Sequence, residues 1–214
     1  MTGGASGPAE DLARRLHDTA RRSGPAPALA MLHRLAGRGA VVRGPGGHAL
    51  VPTTVAHAAG GSRPSGPAFE VLRGLGVEVL RGAGDADEPP GAEQQEWSAA
   101  LLWLRLGLST RLLDAALDRI GAGISGGAPL TQQQLVKGEL ADLSIARAEI
   151  RALLTHGGPE ALTEAALGLL HDRLTDADRR TLKLLGAWGF ALDGPGADAY
   201  ASELLADIYL GAAA

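Results

Sequence analysis

The sequence predicts a mainly α protein: an antiparallel bundle of long helices in residues 93–214, preceded by a small α+β region in residues 1–92. Three observations carry that expectation. Of 31 glycines and 12 prolines, 26 fall in residues 1–92 and only 17 in the remaining 122 residues. Six of the seven aromatic residues (Trp97, Trp103, Trp188, Phe190, Tyr200 and Tyr209) lie beyond Glu93, with Phe69 alone before it, which places the better core in the second part. Long stretches there repeat apolar residues every three or four positions, the period of one helix face.

In chain order, residues 9–22 read as an amphipathic helix with Leu12 and Leu16 on one face, and 27–36 as a second carrying Leu29, Leu32 and Leu35. Strand-like runs follow at 40–43, 48–55 and 77–80, separated by glycine-rich turns, with a short helical piece at 69–75. The acidic stretch 84–96 marks the boundary, because Pro89 and Pro90 cannot continue regular structure. Residues 93–122 contain no proline and spell a helix of roughly 45 Å. One stripe is Trp97, Leu101, Leu104 and Leu108, and a second is Leu106, Leu113, Leu117 and Ile120, together a wide buried face. Glycines and Pro129 in 121–130 end it. Thr131 is a candidate N-cap for a helix reaching Leu154, with Val136, Leu140, Leu143, Ala146, Ile150 and Leu153 along its face. After a break at 157–159, residues 160–185 are helical with an interruption expected near Thr175, Gly186 stops them, and 197–207 form the last helix. Long helices with short connections pack antiparallel.

Composition narrows the function classes. A net charge of −4 argues against a dedicated nucleic-acid binder. The absence of cysteine excludes disulfides, a thiol nucleophile and Cys-ligated metals. No apolar run approaches the ~18 residues of a membrane span. The start, MTGGASGPAEDLARR, has no apolar signal core, so the expected location is cytoplasmic.

Several motifs have bland readings. Gly121-Ala122-Gly123-Ile124-Ser125-Gly126 spells G-x-G-x-x-G, and Gly123 to Gly127 spells G-x-S-x-G. Both need a strand before the turn, so that backbone N–H groups or a nucleophile are presented at a helix start. Here a helix precedes them, and the expectation is a flexible helix–helix turn. The six histidines (17, 33, 48, 57, 156 and 171) show no ligand spacing and are expected as isolated surface or helix-face residues. Asp172, Asp176 and Asp178 with Arg173, Arg179 and Arg180 read as an exposed, ion-paired helix face. Arg14, Arg15, Arg21 and Arg22 lack the interleaved aromatics of a nucleic-acid groove.

Three passages in register over residues 97–211 carry more. Leu106-Gly107-Leu108-Ser109 followed by Leu113-Asp114-Ala115-Ala116-Leu117 is similar to "LGIA…ALDxA". Ala128-Pro129-Leu130-Thr131-Gln132-Gln133-Gln134-Leu135-Val136, then Leu140-Ala141-Asp142, is similar to "xPLxxFQxVxxxLAD". Leu184-Leu185-Gly186-Ala187-Trp188-Gly189-Phe190, continuing to Asp207-Ile208-Tyr209-Leu210-Gly211, is similar to "QxxGGxGY/F" and "IYEGT". In this order they resemble the C-terminal domain of the acyl-CoA dehydrogenases, in a divergent form shorter than the family's full length.

The resemblance implies a four-helix bundle that in the family contacts FAD and acyl-CoA and sits at the centre of a dimer or tetramer. The family reaction takes the α-proton of an acyl thioester with a Glu carboxylate while hydride passes to flavin, which requires a base held in place. Both positions the family uses for that base are occupied otherwise here, one by Leu210 and the other by Trp97. Glu96 is adjacent to the second, but one helical residue turns a side chain by about 100°. The flavin-pyrophosphate arginine falls at Gly123 and its aromatic neighbour at Gly126, while the flavin-contacting glutamine falls at Lys183 and the second glycine of its motif at Ala187. Lys183, Gly186, Ala187 and Gly189 are therefore the cofactor-binding candidates. Residues 1–92 are too few for the helical and β domains that enclose flavin in the family, and are at most a remnant of them.

These departures imply a non-catalytic or auxiliary subunit, forming a homo-oligomer or a heteromer with a full-length acyl-CoA dehydrogenase-like protein. A second reading keeps CH–CH oxidoreductase chemistry with FAD in a composite site shared with a partner. A third is a repurposed non-redox enzyme on an acyl or polyketide thioester, with Asp193, Tyr200 and Tyr209 as candidate groups.

Overall fold

The computed structural model describes residues 8–35, 41–57, 62–82, 91–125, 128–129, 133–157, 161–191 and 194–210. Helix α1 (Pro8–Ser23) has Glu10 and Asp11 in its first turn and Arg21 and Arg22 in its last, charges that complement the helix dipole. Gly24, at φ 79°, turns the chain directly into α2 (Pro25–Leu35). Strand β1 (His48–Pro52) pairs antiparallel with β2 (Val77–Arg81), with Leu50 opposite Val79. Between them lie a single turn, α3 (Thr53–Ala56), and α4 (Pro67–Gly74).

Two strand expectations are corrected here. The run at 48–55 leaves the strand at Pro52, which has no N–H to donate, and Thr53–Ala56 coil into α3. Residues 41–43 pair with no strand, and Ala40 lies outside the described residues. Most of the expected boundary at 84–96 also lies outside them.

Helix α5 (Gly91–Gly121) is the axis of the molecule. Beyond it come a minimal ladder of β3 (Ile124–Ser125) with β4 (Ala128–Pro129), then α6 (Gln134–His156), α7 (Glu164–Leu185), a 3₁₀ turn over Gly186–Phe190, and α8 (Gly196–Leu210). A helix does precede the glycine motifs, whose Gly126 and Gly127 lie outside the described residues. So does Thr131; Gln133, extended at ψ 127°, precedes the first turn of α6. The third long helix starts later than expected, at Glu164, because the Thr163 side chain accepts from the Ala166 N–H at 3.3 Å. It runs unbroken through Thr175.

Both apolar stripes of α5 are used, on different sides. Trp97, Leu101, Leu104 and Leu108 join Leu16, Leu29, Leu50, Leu72, Leu205 and Tyr209 in one cluster. Leu102 and Leu106 pack with Ile150, Leu167, Leu170 and Leu174, and Leu112, Ala116 and Ile120 with Leu182, Leu185 and Ala199. Leu117 and Leu153, expected inside, are each 43% exposed. Helix α1 crosses α5 at Gly107, where a Cβ would collide with the His17 carbonyl and come within 2.8 Å of the Ala20 methyl. Arg111 on α5 holds the crossing from the side. Its Nη1 donates to the terminal α1 carbonyls of Arg21 and Arg22 at 3.4 and 3.3 Å, and its Nε to Asp198 of α8 at 2.9 Å. Among the described residues no helix is long and apolar enough to cross a membrane.

Candidate functional site

The structure brings Trp97 and Tyr209 together and closes the space around them. Trp97, 8% exposed on α5, packs its ring 5.4 Å from both Tyr209 and His33. Tyr209 is buried; its hydroxyl accepts from the Leu50 N–H at 3.2 Å and faces the Leu50 and Val42 carbonyls at 3.3 Å. Burial pushes that phenol well above its ordinary range. The His33 Nε2–H donates to the Leu50 carbonyl at 3.0 Å, the only role a carbonyl partner allows. Helix α2 and strand β1 thus fill one side of the place where the resemblance puts a base. Leu210, the last residue of α8, is half-buried, and Glu96 is exposed. Tyr209 is core packing with its hydroxyl satisfied by backbone.

Of the four cofactor candidates, Lys183 lies in the last turn of α7, and Gly186, Ala187 and Gly189 in the 3₁₀ turn after it. Lys183 and Ala187 are exposed. Gly186 adopts φ 58°, a left-handed value that ends the helix, with its N–H on the Lys183 carbonyl and open space before it. Gly189 is buried by protein. A Cβ there would lie 2.9 Å from the Leu182 carbonyl and the Leu185 methylene, and one on Gly196 would run into the Gly189 carbonyl. These glycines let the turn, α7 and α8 touch. Trp188 beside them lies under the Arg119 guanidinium, 5.6 Å from the ring centre. Gly123, where the resemblance puts the flavin arginine, offers no side chain.

Sequence reasoning missed a second locus, on α5 two turns beyond Trp97. Arg105 is wholly buried. Its Nε donates to Ser202 Oγ at 3.1 Å, Nη1 to His171 Nδ1 at 2.8 Å and to the His171 carbonyl at 3.4 Å, and Nη2 to Thr175 Oγ1 at 2.7 Å. Every one of these acceptors is neutral. Burial holds the guanidinium down to about 10, so it stays a cation at neutral pH. Because guanidinium only donates, His171 Nδ1 must accept, and its proton resides on Nε2, 3.3 Å from the Ser98 carbonyl. Burial, reinforced by Arg105, pushes His171 down to about 3, leaving it neutral.

Above Arg105 a cleft of about 420 Å³ opens between α4, α7 and α8. Its walls are mostly apolar, with Ala68, Val71, Leu182, Phe190 and Tyr200, and its lining includes none of the four turn candidates. Thr175 lines it, as does the ion pair of Arg179 with Glu203. Asp193, a sequence candidate for this end, lies outside the described residues.

Asp178 on α7 also lines the cleft, and behind it Arg147 on α6 pairs with that carboxylate at 3.2 Å, both about 6% exposed. Ser109 Oγ also donates to Asp178, and Arg147 Nη2 to Thr181 Oγ1 at 3.0 Å. Burial raises the Asp178 carboxyl and lowers Arg147. The expected exposed face is therefore corrected at Asp178, and the histidine expectation at His17, His33 and His171, all buried. His17 Nδ1 meets Asp18 at 3.1 Å and its Nε2 faces Arg151 at 2.6 Å; burial lowers its pKa. Among the described residues no three His, Cys, Asp or Glu side chains gather as a metal site.

No protein-family model matches the sequence, and no curated protein matches it. Solved structures match it in fold. Butyryl-CoA dehydrogenase of Megasphaera elsdenii is similar at a TM-score of 0.53 and 15% identity, over 78% of this chain and 46% of that one. FkbI, for biosynthesis of the methoxymalonyl extender unit of FK520, is similar at 0.54 and 18%, over 77% and 47%. The steroid ACAD Tcur3481–Tcur3483 is similar at 0.52 and 16%, over 75% and 44%. The chain thus has a helical fold like that of the acyl-CoA dehydrogenases and spans less than half the length of these three chains.

Proposed function

We propose that this chain is a non-catalytic, auxiliary subunit that pairs through its helices with itself or with a full-length acyl-CoA dehydrogenase-like protein. One observation carries the reading: at the two family base positions stand Trp97, locked between His33 and Tyr209, and Leu210, and neither takes a proton. Pairing is supported by apolar side chains left in water on α6 and α7, with Leu135 at 89%, Ile145 at 55% and Leu169 at 61% exposure. The open space before Gly186 and the exposed Lys183 favour a second reading, in which FAD is held only in a complex and the partner supplies the missing cradle.

The test is to purify the chain alone and with a co-expressed full-length homologue from the same host, and to record flavin absorbance. The auxiliary reading expects a colourless chain alone and a stable complex with the partner. Flavin on the isolated chain overturns it, and flavin that the partner retains only in the complex selects the composite site. Leu210→Glu alone is expected to give no acyl-CoA oxidation; measurable turnover by that variant would show the chain to be a complete enzyme lacking only its base.

A further inference from the structure

We propose that the cleft between α4, α7 and α8 binds a small carboxylate with an apolar tail, its anionic end held by the Thr175 hydroxyl with the Arg105 guanidinium behind it. The buried charges next to this cleft do not balance. Two buried guanidinium groups, Arg105 and Arg147, share one buried carboxylate, Asp178, which contacts Arg147 and acts on Arg105 only through space. With Asp178 ionised the three carry a net +1, and with it protonated, +2. A buried charge without a counter-ion in contact is costly, and the three side chains and one backbone carbonyl that Arg105 does contact are all neutral. His171 cannot supply the missing charge, because imidazole is never an anion at neutral pH.

The geometry says where the counter-charge would enter. Arg105 uses four hydrogen bonds for its five N–H groups, and the fifth is on Nη2, the nitrogen bonded to Thr175. Thr175 Oγ1 accepts from Nη2 and lines the cleft, so its own proton is free to donate into that space. Two carboxylates line the cleft, Asp178 engaged by Arg147 and Glu203 by Arg179; both act on Arg105 through space, ahead of Asp207 and Asp172, and none of the four contacts it. The rest of the wall is apolar, from Ala68, Val71, Leu182 and Phe190. A cleft of about 420 Å³ lies within the usual range for small-molecule sites, roughly 300–1,000 Å³. One end anionic and the body apolar is the chemistry of a medium-chain fatty acid.

Octanoate, octanol and acetate, titrated calorimetrically into the full chain at pH 7.5, test this. Octanoate is expected to bind at least tenfold more tightly than octanol, which lacks the charge, and than acetate, which lacks the tail. Thr175→Val should weaken octanoate about tenfold or more, the size of a lost hydrogen bond to a charged group, while leaving octanol unchanged. Ala197→Leu, which fills the cleft from α8 without touching Arg105, should abolish binding of both. Octanol binding as tightly as octanoate, an unchanged octanoate affinity in Thr175→Val, or no saturable octanoate binding by the wild-type chain would each overturn the proposal.

Discussion

Acidification should destabilise this protein through His171, by an amount that follows from its surroundings. Burial and the neighbouring Arg105 hold the folded imidazole at about 3, whereas the unfolded chain has the ordinary value of 6.5. The folded pKa is the lower one, so below pH 6.5 the unfolded state binds the extra proton and stability falls as pH falls. At pH 5 one such group costs about 2 kcal/mol relative to pH 7.5. His17 and His33, also lowered by burial, act in the same direction, while Asp178, raised by burial, opposes them. Comparison with His171→Gln removes those shared contributions. Urea denaturation at pH 7.5, 6 and 5 should show the wild type losing about 2 kcal/mol more than the variant across that interval. Parallel losses would refute the reasoning and mean that His171 is already solvated or protonated in the folded state.

Asp178→Asn should destabilise by about 3–5 kcal/mol, since it leaves Arg147 buried without its counter-ion; thermal and urea unfolding read this directly. Gly107→Val should cost about 1–3 kcal/mol through overpacking against α1, whereas the same change at Gly138, where a Cβ meets nothing within 4 Å, should cost less. Hydrogen exchange in the Gly107 variant should rise first in α1.

The helices were legible because their apolar spacing is local information. The sheet was legible only as two runs, and Pro52 shortened one of them by a rule of backbone chemistry rather than of hydropathy. The polar locus was harder to see, yet it left a trace. Arg105 stands in Leu101-Leu102-Trp103-Leu104-Arg105-Leu106, between two stripes both expected to be buried, and so had no solvent face to occupy. Arg147 likewise falls four residues after Leu143 and three before Ile150. Asp178 continues the spacing of Leu170 and Leu174 into Leu182, which separates it from Asp172 and Asp176 on the outer face. What no local pattern held was which of these side chains would meet, because Arg105 and Ser202 are 97 residues apart.

The crossing of α1 over α5 sets a timetable for synthesis. Arg21 reaches its partner Asp114 across 93 residues of chain, and Leu16 and Ala20 are covered only once α5 has arrived. At the usual rate of translation, about 5–20 residues per second, α1 leaves the ribosome roughly 5–20 s before that partner exists. For that interval only α2, which follows directly and shares its apolar cluster, is at hand to cover part of that face. The α1 crossing thus waits for the middle of the chain to be made, although α1 heads the described residues.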